Sequence, residues 1–180
     1  MPNWVINNVQ VEDGDKLLGY SNPALMAEIK QYVRREYEDG EVNEFDFSNI
    51  VPEPEGLYDQ EAVQVNYGTF TSSMPAWYEW HCANWGTKWN SNEASAGDTG
   101  FSFNTAWSTA DPVIKALSEK FPTVTFCVEY ADEDLGGGNC GIYAYENGEL
   151  VREEEGSYEF ACDLWGYEPE EEEEEETIEE

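Results

Sequence analysis

The chain has 180 residues, and its 40 Asp and Glu against 8 Lys and Arg give a formal net charge of −32 and a pI of about 4.1. That balance excludes direct binding to nucleic acid or to an anionic membrane through a basic face, because neutralising phosphates takes a surplus of Lys and Arg. It does not exclude a folded body: 40% hydrophobic residues, with 7 Trp, 11 Tyr and 8 Phe, are too many core formers for a disordered polyanion, and a chain of this length buries about 70% of its unfolded surface.

Taken in chain order, Trp4 to Val11 alternates apolar and polar residues as a strand does, closed by the turn residues Glu12-Asp13-Gly14-Asp15. Asn22 is placed to cap a helix with Pro23 at its first position, and Leu25, Ile29, Tyr32 and Val33 share one face before Asp39-Gly40. Phe45, Phe47 and Ile50 predict a short strand ended by Pro52, and Val63, Val65 and Tyr67 another. Ala76 to Trp85 predicts a short aromatic helix with Trp77, His81 and Trp85 on one face and Gly86 as its stop. After a polar loop from Asn90 to Gly100, Phe101 to Trp107 reads as a strand and Asp111-Pro112 as the cap of a helix that turns Val113, Leu117 and Phe121 inward. Val124, Phe126, Val128 and Tyr130 alternate as a strand, followed by a Gly-rich loop from Asp132 to Asn139. Two further strands meet at Asn147-Gly148, a type I′ hairpin signal, and Tyr158, Phe160 and Cys162 alternate as a last, edge strand. The order predicts an α+β domain over residues 1–166.

The charge is unevenly spread. Residues 1–60 carry 13 acids against 4 bases, residues 61–120 carry 6 against 3, and residues 121–180 carry 21 against 1. From Tyr167 onward the chain includes seven consecutive Glu, 170 to 176, a like-charge block expected to be a disordered tail over 167–180. The tail holds 10 of the negative charges and the body, 1–166, the remaining −22.

Met1-Pro2-Asn3-Trp4 at the start, Phe45-Asp46-Phe47 followed by Ile50-Val51-Pro52, Trp77-Tyr78-Glu79-Trp80, Asn84-Trp85-Gly86-Thr87-Lys88-Trp89-Asn90 and Phe103 to Trp107 together resemble the YubB ferredoxin-like domain family of phage, prophage and plasmid proteins, over roughly residues 1–148. The resemblance implies a ferredoxin-like core, a mostly antiparallel sheet with helices on one face, into which the short aromatic helix around 75–86 is inserted. It implies no catalytic residues. The Glu run beyond Tyr167 lies outside the shared pattern.

Little in the sequence supports catalysis or a cofactor. His81 is the only histidine and shares its helix face with Trp77 and Trp85, which reads as a packed side chain. Cys82, Cys127, Cys140 and Cys162 form no C-x-x-C pair and read as reduced structural thiols of a cytoplasmic protein. Asp13-Gly14-Asp15 and Asp132-Glu133-Asp134 begin like calcium loops, yet neither continues as one, so no metal is expected. Gly136-Gly137-Gly138 lacks the helix and Lys of a phosphate cradle, and Lys88 beside Trp85 and Trp89 reads as cation–π bracing. Abundant Trp beside abundant carboxylates also describes a sugar-binding cleft, but the Trp residues fall at core spacing, which places a carbohydrate-active enzyme last. The N-terminus has neither a basic nor a long apolar leader region, and no run of about 18 apolar residues suggests a membrane span.

The acidity therefore carries the functional expectation. A body of this size exposes about 8,300 Å², so 22 net charges gathered on one half sit roughly 190 Å² apart, within a factor of about two of the one charge per about 110 Å² of duplex DNA. The expectation is a non-enzymatic mimic of nucleic acid that blocks the groove of a basic nucleic-acid-binding host protein, a defence nuclease or effector of the restriction or CRISPR type. The alternative is an accessory or assembly module of a mobile element with a solubilising tail. The expected contact residues are Asp132, Glu133 and Asp134; Glu153, Glu154 and Glu155; Glu159 and Asp163 on the edge strand; and Glu170, Glu171, Glu172 and Glu173 in the tail. Partner identity and oligomeric state stay open.

Overall fold

The computed structural model describes residues 2–13, 22–66 and 68–169, so the tail from Glu170, Tyr67 and the turn residues Gly14 and Asp15 lie outside the described residues. The long alternating segments all become strands: β1 (Trp4–Asp13), β7 (Gly100–Ala106), β8 (Val124–Asp132), β9 (Cys140–Glu146) and β10 (Glu149–Glu155). With β6 (Asn92–Ala96), which occupies the segment expected to be a polar loop, they form one antiparallel sheet in the order β10-β9-β8-β1-β7-β6. With helices α1 (Pro23–Val33) and α4 (Asp111–Lys120), the succession β1-α1-β6-β7-α4-β8 is a βαββαβ unit whose fourth strand lies beside its first. The β9–β10 hairpin extends this ferredoxin-like sheet past β8. Asn147 (φ 49°) and Gly148 (φ 77°) both take the left-handed conformation that the type I′ turn requires.

Alternation along the strands separates two faces. Val9, Val11, Phe101, Phe103, Phe126, Val128, Tyr143 and Tyr145 point to one side, where Met26, Ile29 and Val33 of α1 and Val113, Ile114 and Leu117 of α4 close the main core. A buried polar chain crosses it: the Asn7 amide donates to Thr105 Oγ1 (2.9 Å), Thr109 Oγ1 donates to Asn7 Oδ1 (2.6 Å), and Thr109 also bonds the Tyr143 hydroxyl (2.8 Å). The opposite face is open except at one end, where α5 (Tyr158–Trp165) lies over Ala131, Cys140 and Ile6.

Four further local expectations change. Phe45, Phe47 and Ile50 are buried but do not form a strand: Asp46 caps a single helical turn, α2 (Phe47–Ile50), by accepting from Ser48 N–H (2.8 Å). Helix α1 stops at Val33 rather than near Gly40, and Asp39-Gly40 instead turns the small hairpin β2 (Arg35–Glu36) and β3 (Val42–Asn43). The cap position of α4 is Ala110, with Asp111 in the first turn. The expected last strand is the helix α5, because Ser157 Oγ accepts from Phe160 N–H (3.2 Å) and Gly166 (φ 71°) closes it; burying Ala161 and Cys162 on one side outweighs the period-two pattern of Tyr158, Phe160 and Cys162. The segment between α1 and β6 also holds β4 (Val63–Asn66), β5 (Thr71–Met74) and the aromatic helix α3 (Ala76–Asn84) at the position expected for it.

Candidate functional sites: an acidic sheet face and an aromatic cleft

Of the expected acidic residues, Glu170 to Glu173 lie outside the described residues, and those from Asp132 to Asp163 fall at one end of the sheet, where β8 ends, β9 begins and β10 ends beside α5. Their availability differs. Asp132 is 8% exposed and does not present its carboxylate outward: Oδ1 accepts from Asn3 Nδ2 (3.3 Å) and Asp134 N–H (2.8 Å), and Oδ2 from Asn139 Nδ2 (3.0 Å). It organises the 132–139 loop, with both carboxylate oxygens turned to internal donors. Asp132→Ala is expected to cost about 2 kcal/mol of stability in urea unfolding, through donors left unpaired.

Glu133 and Asp134 are exposed, although Glu133 Oε1 accepts from Trp4 N–H (3.1 Å). Glu159 and Asp163 sit one helical turn apart on the solvent side of α5, not on an edge strand. A hydrogen bond with Ser157 holds the Glu159 carboxyl below the usual carboxylate range.

Glu153, Glu154 and Glu155 lie on β10, a true edge strand exposed along its whole length. Glu153 and Glu155 project on the side of Tyr143 and Gly141, and Glu154 on the open face beside Ile142. The open face adds carboxylates that sequence reasoning did not single out: Glu12, Glu129, Glu146 and Glu149. Arg152 is the one base there, and it is spent internally, with Nε 2.7 Å and Nη2 3.1 Å from the Glu154 carboxylate and Nη1 3.9 Å from Cys127 Sγ. That guanidinium holds the Glu154 carboxyl down. Glu146 and Glu149 stand directly opposite across the hairpin, an arrangement that costs stability unless a cation relieves it.

Strand geometry sets the charge density. Each residue on one sheet face occupies about 4.8 by 6.7 Å, roughly 33 Å². The block formed by Asn8, Gln10, Glu12, Thr125, Cys127, Glu129, Ile142, Ala144, Glu146, Glu149, Arg152 and Glu154 therefore spans about 390 Å² and carries five acids and one base. Alternation within each strand assigns these residues to one face, but only the order of the strands in the sheet brings them side by side.

A second site lies in the segment inserted between α1 and β6. Here a cleft of about 320 Å³ opens between the β2 hairpin, the Glu53 to Tyr58 loop, α3 and Trp89. His81 is 3% exposed and stacks on Trp85 with ring centroids 4.0 Å apart, so it is packed as expected. It is also bonded at both nitrogens: Nδ1 lies 2.7 Å from the Lys88 carbonyl and must donate to it, and Nε2 lies 2.5 Å from Glu53 Oε1. One further proton therefore lies between His81 and Glu53. The Tyr58 hydroxyl donates to the same Oε1 (2.8 Å). Since both ring nitrogens are occupied, His81 positions Glu53 and is not itself placed to take a proton from a ligand. Lys88 braces the outer rings as expected, its Nζ 4.4 Å from the Trp89 ring centroid and 5.1 Å from that of Trp107, but it does not reach Trp85.

The four cysteines are free, and burial pushes the Cys127 and Cys140 thiols up, away from reactive thiolates. Among the described residues no helix is long and apolar enough to cross a membrane.

Fold and surface together define a ferredoxin-like α+β domain with an open, carboxylate-bearing sheet face. The chain belongs to the family described as the ferredoxin-like domain in Api92-like protein, whose model matches residues 84–180, from the end of α3 through the acidic tail. The match thus takes in residues 149–180, beyond the span of the resemblance read from the sequence. Comparison with curated proteins and with solved structures gives no match.

Proposed function

We propose that the protein is a non-enzymatic binding protein that presents its acidic sheet face and β10 edge to a basic, nucleic-acid-binding partner of the host cell and occludes the partner's phosphate groove. The observation that carries this reading is the local charge density: a net −4 over about 390 Å² is one charge per about 100 Å², close to the one per about 110 Å² of duplex DNA. On the β8-β9-β10-α5 side the sequence offers one base, Arg152, against that array. A defence nuclease or effector has the required groove, and association would be fast and salt-sensitive.

The test uses the intact chain immobilised against host lysate. Duplex DNA and rising salt are expected to release the bound proteins, and these are expected to bind nucleic acid. Replacing Glu153, Glu154 and Glu155 by Lys should reduce capture at least tenfold, with the far-ultraviolet circular dichroism of the fold unchanged. Removing residues 167–180 should leave most of the capture in place, whereas an accessory module held by its tail would lose it. If DNA does not compete, or the charge-reversed chain captures as well as the original, the proposal fails.

A further inference from the structure

The aromatic cleft is separate from the acidic face, and its polar groups are arranged in a way that packing alone does not require. Glu53 is oriented through a single oxygen: His81 and Tyr58 both bond Oε1, and among the described residues no donor reaches Oε2. Arg35 also lines the cleft; its guanidinium lies over the Tyr37 ring at 5.4 Å and only 4.0 Å from Asp46, so it keeps donors for a further acceptor. Two exposed rings stand over the opening, and each is backed by a second ring. Tyr58 (64% exposed) stacks on Trp77, centroids 6.2 Å apart and 21° between planes, and Trp89 (36% exposed) stacks on Trp107, 6.3 Å and 28°. Stacking on a neighbour fixes each ring at little further entropic cost and leaves aromatic surface at the cleft open to a ligand.

We infer that this cleft is a binding site for a neutral saccharide, with Tyr58 and Trp89 as stacking platforms and Arg35 and the free oxygen of Glu53 as the donor and acceptor for its hydroxyl groups. Three features favour that class. A sugar hydroxyl donates and accepts at once, so neighbouring hydroxyls suit a guanidinium and a carboxylate side by side. The apolar C–H face of a pyranose covers one exposed ring and leaves the other side wet, which suits an open cleft, whereas a nucleobase gains most from a slot closed on both faces. A formal charge of −32 repels anionic ligands such as nucleotides, and the Arg35 guanidinium in the cleft repels cationic ones, leaving neutral molecules favoured. A volume of about 320 Å³ is at the small end of ligand sites and holds roughly one or two sugar rings. The reading is one of binding, not turnover: no second carboxylate lines the cleft with Glu53 to share acid and base roles.

Isothermal titration of the full chain with glucose, N-acetylglucosamine, maltose and the β-1,4 dimer of N-acetylglucosamine tests the inference, with adenosine and guanosine titrated in parallel. At least one saccharide is expected to bind with Kd below about 5 mM and more tightly than either nucleoside. Tyr58→Ala and Glu53→Gln are each expected to weaken that binding about tenfold. Tyr58 is exposed, so its variant keeps the melting temperature and separates lost binding from lost folding. Absence of saccharide binding, a nucleoside binding as tightly, or a Tyr58→Ala variant that binds unchanged overturns it.

Discussion

Replacing Trp85 by alanine is expected to lower the unfolding free energy by about 3–5 kcal/mol, the range for deleting a large buried aromatic side chain. Trp85 is 2% exposed and stands at the junction of the sheet core and the inserted segment. Its ring stacks on His81, meets Phe47 edge-on at 5.8 Å and Trp80 at 5.6 Å, and its Nε1 donates to the Val51 carbonyl at 2.9 Å. Alanine leaves a void among these rings and an unpaired carbonyl. Trp85→Phe keeps most of the ring contact and loses the hydrogen bond, so about 1–2 kcal/mol is expected. Urea unfolding followed by far-ultraviolet circular dichroism reads both, and a Trp85→Ala loss below about 1 kcal/mol would show that the inserted segment does not fold together with the sheet.

The second large effect belongs to Asp46, which has 0% exposure and was not legible as a special carboxylate among 40 acids. Its Oδ2 accepts from the Tyr37 hydroxyl (2.6 Å), and its Oδ1 accepts from Ser48 N–H (2.8 Å) and Asn90 Nδ2 (3.1 Å). Asn90 in turn accepts from Phe47 N–H (2.8 Å), so one carboxylate ties the turn between β2 and β3, α2 and the segment before β6 together. Asp46→Ala leaves these donors without an acceptor in a dry site, with an expected loss of about 3–5 kcal/mol. Asp46→Asn retains the shape and one acceptor oxygen and should cost roughly half as much.

Tyr37 provides an independent check on that site. Burial, reinforced by the hydrogen bond to Asp46 and its charge, pushes the Tyr37 phenol up to about 12. A phenol whose folded pKa is raised stabilises the fold fully below its unfolded value near 10, and the contribution is lost as pH rises toward 12. The Asp46→Ala variant should therefore titrate Tyr37 at lower pH and show a shallower loss of stability across that window. Spectrophotometric titration in the ultraviolet phenolate band, compared with a Tyr37→Phe variant, reads the shift. An unchanged Tyr37 titration would mean that the bond to Asp46 does not form in solution.

Much of the fold was legible because period-two alternation survives wherever one sheet face is buried. Val124 to Tyr130, Phe101 to Phe103 and Trp4 to Val11 each read correctly, and Asn147-Gly148 named its turn because two successive left-handed residues demand such a pair. The failures have local causes. Tyr158, Phe160 and Cys162 alternate, but a serine cap and a helix surface burying Ala161 against Ala131 decided for α5. Phe45 and Phe47 alternate too, yet Asp46 between them bonds its own downstream backbone and closes a turn.

The candidate sites were less legible, for a different reason. The amount of negative charge, its concentration in the last third and the near absence of bases there follow from the residues alone, since these are sums over the chain and need no coordinates. Which carboxylates are available is a matter of packing. Asp46 and Asp132 are consumed by donors distant in the chain, whereas Glu12, Glu129, Glu146, Glu149 and Glu154 come together because β1, β8, β9 and β10 are adjacent. Likewise Glu53 and His81 are 28 residues apart and meet only where the inserted segment folds back on α3. A carboxylate's charge belongs to its residue, but whether it faces water, a partner or an internal donor depends on groups that long-range packing brings within about 3 Å of it.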